Sequence, residues 1–247
     1  MSTWEVWALR TGCSAVDQSM LTYLNGMGHE VTIPHTALLL RGDATVLIDT
    51  GFADPDVINS AYPQRIWRTP EQHLQSLLGS IGSSPSDVDI ILHTHLHYDH
   101  VGNDRLFSNA TIYAHQQELS YYRDPTAPLM RQEYFAPKYH YPPQFDAERI
   151  ESISADTTIA PGLDFIHLPG HTPGSSGVLI ETADGLTCFA GDLVMVRENL
   201  DPKQPVGLHV DVDMCERSRR KLNSYGAQII PSHDMRIFDV ADVRKLA

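Results

Sequence analysis

The stretch Ile90-Ile91-Leu92-His93-Thr94-His95-Leu96-His97-Tyr98-Asp99-His100 constrains this chain more than any other. Residues Val88 to Leu92 are short, apolar and isoleucine-rich, and so read as a buried strand. Histidines and an aspartate follow at once, where that strand gives way to a loop. Neutral imidazole and carboxylate are the ligands that zinc and related divalent ions prefer. His95 and His97 are two apart, so in extended backbone their side chains share one face. Asp99 and His100 follow where the chain must turn, and can address a second position nearby. One short segment can therefore serve two metal ions. With 13 His in 247 residues, His-x-His-x-Asp-His arises by chance on the order of once in a hundred thousand starting positions. The alternative is a histidine-rich surface tract that picks up metal adventitiously.

A chain of 247 residues suits one large domain or two small ones and buries enough surface to need no staples. The formal net charge of −13 argues against nucleic-acid and anionic-membrane partners, both of which demand basic patches. Cys13, Cys188 and Cys215 are far apart and form no C-x-x-C, so they read as reduced thiols of a cytoplasmic protein. The start Met1-Ser2-Thr3-Trp4-Glu5 has no signal-peptide character, and no run approaches a membrane span.

In chain order, Trp4 to Leu9 alternates as a strand, and residues 11–35 read as irregular, punctuated by Gly12, Gly26, Gly28 and Pro34. Strands at Ala37–Leu40 and Thr45–Ile48 follow, the second ending in Asp49-Thr50-Gly51. Residues 52–68 read as loop. Thr69-Pro70-Glu71 opens a helix whose apolar stripe is Leu74, Leu77 and Leu78. A strand is expected at Thr111–Ala114 and a helix from Gln116. The Tyr- and Pro-rich insert 120–146 (Tyr121, Tyr122, Tyr134, Phe135, Tyr139, Tyr141, Phe145) is assigned no regular structure. Strands at Leu163–Leu168, Gly177–Glu181 and Leu186–Ala190, a helix at Met214–Tyr225 and a strand at Gln228–Ile230 complete the second half. Mixed sheets with helices outside are the expected class.

Three further strand ends carry the same residue types: Leu168-Pro169-Gly170-His171, Phe189-Ala190-Gly191-Asp192 and Ile230-Pro231-Ser232-His233. Each is weak alone, but four strand ends that all deliver His or Asp are hard to ascribe to coincidence. Together with Asp49-Thr50-Gly51, these motifs resemble those of the metallo-β-lactamase superfamily over most of the chain. Val16-Asp17-Gln18-Ser19, Leu24 to Gly28 and Ser232-His233-Asp234 are similar to its N-acyl-homoserine lactonase group.

The resemblance implies a single α/β domain over 1–247, an αβ/βα four-layer sandwich with two mixed β-sheets. It also implies two Zn2+ ions, other divalent metals being possible. His95, His97 and His171 would hold one, Asp99, His100 and His233 the other, and Asp192 would bridge them. Asp49 would orient a ligand, and His93 falls outside the pattern. The implied reaction is lactone hydrolysis, with a small-molecule lactone as substrate and a monomer or homodimer as the working unit. A metal-bridging hydroxide would attack the carbonyl, and Asp99 would pass a proton to the departing ring oxygen.

One departure stands out. Where the lactonases resembled often carry a tyrosine, three residues after the bridging aspartate, this chain has Met195. A thioether donates no hydrogen bond. His209 and the insert tyrosines are candidate substitutes, with ordinary packing as the alternative for each. The insert and the segment Gly12–Pro34 are expected to cover the metal cleft. The rival enzyme class is a glyoxalase II-like thioesterase or a mononuclear-iron sulfur dioxygenase on the same ligands, and the rival outside enzymes is a zinc-stabilised binding protein.

Overall fold

The computed structural model describes residues 3–61, 65–136, 145–238 and 241–247. Its first half runs β1 (Glu5–Asp17), β2 (Glu30–Arg41), β3 (Thr45–Ile48), α1 (Pro55–Ala61), β4 (Arg65–Trp67), α2 (Leu74–Ser80), β5 (Ile90–Leu92), α3 (Tyr98–Val101), β6 (Thr111–His115), α4 (Gln116–Arg123), α5 (Pro128–Glu133) and β7 (Ile150–Ile153). The second half runs β8 (Thr157–Ala160), β9 (Leu163–His167), β10 (Ser176–Thr182), β11 (Gly185–Phe189), α6 (Val212–Ser224), β12 (Gln228–Ile230) and β13 (Val243–Lys245). The strands form two mixed sheets, ordered β13-β1-β2-β3-β5-β6-β7 with β4 on β1, and β12-β11-β10-β9-β8.

Side-chain alternation builds the layers. In β2, Leu38 and Leu40 point at the second sheet, where they meet Phe165, Val178, Ile180 and Phe189. Ala37 and Leu39 point the other way, onto Leu74, Leu77 and Leu78 of α2 and Leu119 of α4. In β10, Val178 and Ile180 face inward, while Leu179 faces Cys215 and Leu222 of α6. Both faces of each sheet are thus covered, which is why these strands read as unbroken apolar runs. The result is the expected four-layer αβ/βα sandwich. Each fully buried Leu contributes about 1.5–3 kcal/mol, and Leu39→Ala would cost about 2–5 kcal/mol. The α6 helix begins where the Asp211 carboxylate accepts the Met214 N–H at 2.7 Å.

Three expectations need correction. Residues 11–35 are not irregular throughout, because β1 continues to Asp17 and β2 begins at Glu30. Gly12 reads as a break, but it sits at a bulge where the β1–β2 register shifts between Arg10 and Gly12. Its φ is +147°, and a Cβ there would lie 2.3 Å from the Phe52 ring. Pro34 is tolerated in β2 because β3 pairs only from Leu38 onward, leaving that edge free of a ladder. Residues 52–68 hold α1 and β4 rather than plain loop, and the insert 120–146 holds the end of α4 together with α5. Tyr139 and Tyr141 lie outside the described residues. Cys13, Cys188 and Cys215 are free and buried. Among the described residues no helix is long and apolar enough to cross a membrane.

Candidate metal centre

The loop after β5, at one end of the first sheet, carries His95 and His97, and the short α3 that follows it carries Asp99 and His100. The loops after β9, β11 and β12 of the second sheet carry His171, Asp192 and His233. Packing one sheet on the other brings all seven together. His171 Nε2 lies 3.2 Å from His95 Nε2 and 3.1 Å from His97 Nδ1. Nitrogens arranged tetrahedrally about 2.0–2.1 Å from a common ion are separated by roughly 3.3 Å. Asp192 faces this trio with Oδ2, at 3.5 Å from His171 and 3.9 Å from His95. Its Oδ1 lies 3.5 Å from His100 Nε2, and His233 Nε2 is 3.2 Å from both oxygens of the carboxylate. Asp99 Oδ2 closes that second position, 3.6 Å from His100 Nε2 and 3.7 Å from His233 Nε2. A single carboxylate therefore spans two adjacent donor sets.

Orienting partners of the kind metal ligands carry anchor His100, His171, His233 and Asp192, whereas His97 Nε2 is buried without a hydrogen-bond partner. His100 Nδ1 donates to Asp49 Oδ2 at 2.8 Å, and Asp49 also accepts Thr94 N–H and O–H at 2.8 and 2.7 Å. This is the orienting contact expected of Asp49, whose φ is +58°. His171 Nδ1 donates to the Leu208 carbonyl at 2.6 Å, and His233 Nδ1 to that of Pro34 at 2.8 Å. Ser232 donates to Asp192 Oδ1 at 2.7 Å. The three histidine contacts each fix an imidazole tautomer so that the opposite nitrogen turns inward as an acceptor.

The donor set fits a divalent ion. His100 Nε2 is buried without a hydrogen-bond partner, although two carboxylates stand around it. Burial opposes charge on His100, but Asp99 and Asp192 hold its pKa well above the ordinary value. Burial first, then neighbouring imidazoles, push His95 and His97 well below it. Those two rings are therefore neutral, the state in which histidine binds metal. Five imidazoles and two carboxylates with no thiolate suit zinc and similar borderline ions used as Lewis acids.

The second position borders a narrow cleft lined on one side by Val16, Met20, Leu21, Ile33, Met195 and Leu208. The segment Gly12–Pro34 thus shapes the cleft, as expected. The described part of the insert contributes less, since Tyr122, Tyr134, Phe135 and Phe145 are buried in the domain. The Tyr134 ring meets His97 edge-on at 4.6 Å, and its hydroxyl is tied to Glu118. His209 Nδ1 donates to the Val206 carbonyl and its ring packs on Tyr23, outside the residues that line the cleft. His93 is buried with Nε2 2.9 Å from Asp104, a structural pair.

Two residues escape sequence reasoning. Glu118 of α4 accepts from Leu96 N–H, Thr172 O–H, Gly174 N–H and Tyr134 O–H, and so ties the loop of His95 and His97 to the loop of His171. The sequence offers only the capping spacing His115-x-x-Glu118 as a signal. His35 lies 2.9 Å from Asp99, within a segment read as irregular.

The family profile of the metallo-beta-lactamase superfamily matches residues 31–233. The chain is 27% identical over 215 residues to an N-acyl homoserine lactonase of Bacillus cereus, covering 83% of this chain and 82% of that one. It is 31% identical over 196 residues to metallo-beta-lactamase domain-containing protein 1 of Xenopus laevis, covering 79% and 68%. Among solved structures, an N-acyl homoserine lactone hydrolase with the product N-hexanoyl-L-homoserine at its catalytic metal center superposes with a TM-score of 0.81. The identity there is 22%, with 96% of each chain covered.

Proposed function

The chain belongs to the metallo-β-lactamase superfamily, and from that premise we propose that it is a metal-dependent hydrolase that opens a lactone carrying an apolar substituent. One observation carries the reading: seven His and Asp side chains from both sheets converge on two adjacent positions spanned by Asp192, beside a cleft with one apolar wall. The lactonase relatives support it. We assign His95, His97 and His171 to one ion and Asp99, His100 and His233 to the other, with Asp192 shared and zinc as the metal. Ions bound there supply a water of lowered pKa and polarise a carbonyl.

The chain's own residues do the rest. Val16, Met20, Leu21, Ile33, Met195 and Leu208 hold an acyl or alkyl chain, at about 0.8 kcal/mol per buried methylene. Ser232, Asp49 and the carbonyls of Pro34 and Leu208 hold the ligand rings and Asp192 in place. Asp99, on the cleft wall, handles the proton. Burial would raise its pKa, but His100 and His35 hold it well below the usual carboxylate range. It is therefore ionised at rest, and its role would be to relay the proton released by the attacking water to the ring oxygen as the ester bond breaks. Because both sheets contribute to the site, residues 1–247 are read as one catalytic domain. It works in the cytoplasm as a monomer or homodimer.

The test is a hydrolysis panel on metal-analysed protein, spanning acyl-homoserine lactones, simple γ- and δ-lactones and a glutathione thioester. Ring opening of lactones with about two zinc ions per chain supports the reading. Turnover of the thioester alone would move the protein to the glyoxalase II-like class, and undiminished lactone opening after Asp192→Ala would refute the mechanism.

A further inference from the structure

We propose that His35 is a positioning residue of the second metal position, acting on Asp99 and held in one tautomer by Ser14; this rests on the two-ion reading above. His35 is buried on the wall of the cleft, and so is Ser14. Its Nδ1 makes no aligned hydrogen bond, yet lies 2.9 Å from Asp99 Oδ2. That oxygen is the one facing His100 and His233. Its Nε2 lies 3.1 Å from Ser14 Oγ.

Elementary chemistry fixes the protons. An ionised carboxylate only accepts, so the nitrogen beside it carries the hydrogen. In a neutral ring the other nitrogen then accepts, and Ser14 O–H is the donor. The order is Ser14 O–H to His35 Nε2, then His35 Nδ1–H to Asp99 Oδ2.

The backbone supports the assignment. Pro34 and His35 are consecutive in β2. The Pro34 carbonyl accepts His233 Nδ1–H at 2.8 Å, and the His35 ring meets Asp99. One dipeptide thus places two ligands of the same position. The other two are placed by Asp49, which takes His100, and by Ser232, which takes Asp192. Without His35, Asp99 would be the ligand of that position with no placing partner in this set. A hydrogen on the inner oxygen of Asp99 limits the rotation of that carboxylate and tempers its donation to an ion.

The experiment compares the parent with His35→Phe, His35→Asn and Ser14→Ala. Cobalt-substituted protein is titrated with a chelator, so that the two ions are followed separately by absorbance, and kcat and KM are measured on a lactone. Phenylalanine keeps the ring and its edge contacts with Phe52 and His233 but donates nothing. It should weaken the second ion by about 10–100-fold and leave the first nearly unchanged, with kcat falling more than KM rises. Asparagine can offer an amide N–H near the place of Nδ1 and should recover most of the loss. Ser14→Ala should fall between. The inference is overturned if His35→Phe holds both ions as the parent does, if asparagine is worse than phenylalanine, which would mark a packing role, or if the parent binds one ion only. A parent that opens no lactone would sink the proposed function, while the chelator titration would still decide the role of His35.

Discussion

Replacing Glu118 by Gln should destabilise the fold and loosen the three-histidine position together. The carboxylate is buried, and four donors converge on it: Leu96 N–H at 3.0 Å and Tyr134 O–H on Oε1, Thr172 O–H at 2.7 Å and Gly174 N–H at 3.0 Å on Oε2. Burial raises its pKa and the four donors oppose the rise. Glutamine keeps the shape but turns one acceptor into an NH2 group. The two hydroxyls can rotate and accept from it, whereas the two backbone N–H groups cannot. Whichever way the amide is placed, it confronts one backbone N–H with another donor. An unsatisfied buried N–H costs about 1–3 kcal/mol. Loss of charge assistance takes about 1 kcal/mol from each remaining bond. Relief of the buried charge offsets part of this, leaving a net loss of roughly 1–3 kcal/mol. For a domain of this size that is about 2–12 °C in Tm. Calorimetry and urea unfolding on chelated protein measure the fold, and zinc analysis measures the site. A glutamine variant within about 0.5 kcal/mol of the parent, with unchanged metal affinity, would refute the reasoning.

Thorough chelation should abolish lactone opening and lower Tm, since an ion bound only to the folded state stabilises it by about 2.7 kcal/mol at a hundred times its Kd; re-added zinc should restore both. Met195→Tyr places a hydroxyl on the cleft wall and should raise kcat on lactones, by about tenfold or more where the hydroxyl reaches the developing oxyanion; an unchanged kcat would mean that donor is not limiting. Burial opposes charge on His93, but Asp104 and Asp49 raise its pKa to about 9 from 6.5. The folded state therefore gains stability from charged His93 in full below pH about 6.5 and loses it as pH rises through about 9. Urea midpoints of the parent and His93→Gln should converge across that window, and a pH-independent gap would contradict the pairing. Gly102→Ala sets a Cβ 2.1 Å from Ala53 N and 2.3 Å from Phe52 C, backbone that cannot yield cheaply, so thermal unfolding should show a loss of about 1–3 kcal/mol or more.

Legibility in the sequence followed the range of the interaction. The layers were readable because alternation in β2 and β10 and the Leu74, Leu77, Leu78 stripe are local patterns that survive burial. The His95 to His100 segment was readable because its spacing alone implies a common target. His171, Asp192 and His233 became persuasive only as a set of strand ends. By contrast, the reach of β1 was hidden by Gly12, where a turn residue serves a bulge against Phe52. Glu118 and His35 were hidden for another reason. Each acts through partners remote in the chain, Glu118 on Leu96 and Gly174, His35 on Asp99 and Ser14. No local period marks a carboxylate that collects four donors from three loops.

The source of the ligands also says something about folding. The first sheet delivers His95, His97, Asp99 and His100, and the second delivers His171, Asp192 and His233. The donor atoms approach to 3.1–3.2 Å across that divide. Such distances require the inter-sheet core of Val6, Leu38, Leu40, Val178 and Phe189 to be in register first. An ion at either position would therefore bridge the two halves, and its binding free energy would add to the interface between the sheets rather than to one loop. Neither half could hold it with full affinity alone. On this argument a core truncation far from the cleft, such as Val178→Ala, should weaken metal retention as well as stability, whereas a surface change of equal chemistry, such as Val212→Ala on the exposed start of α6, should affect neither.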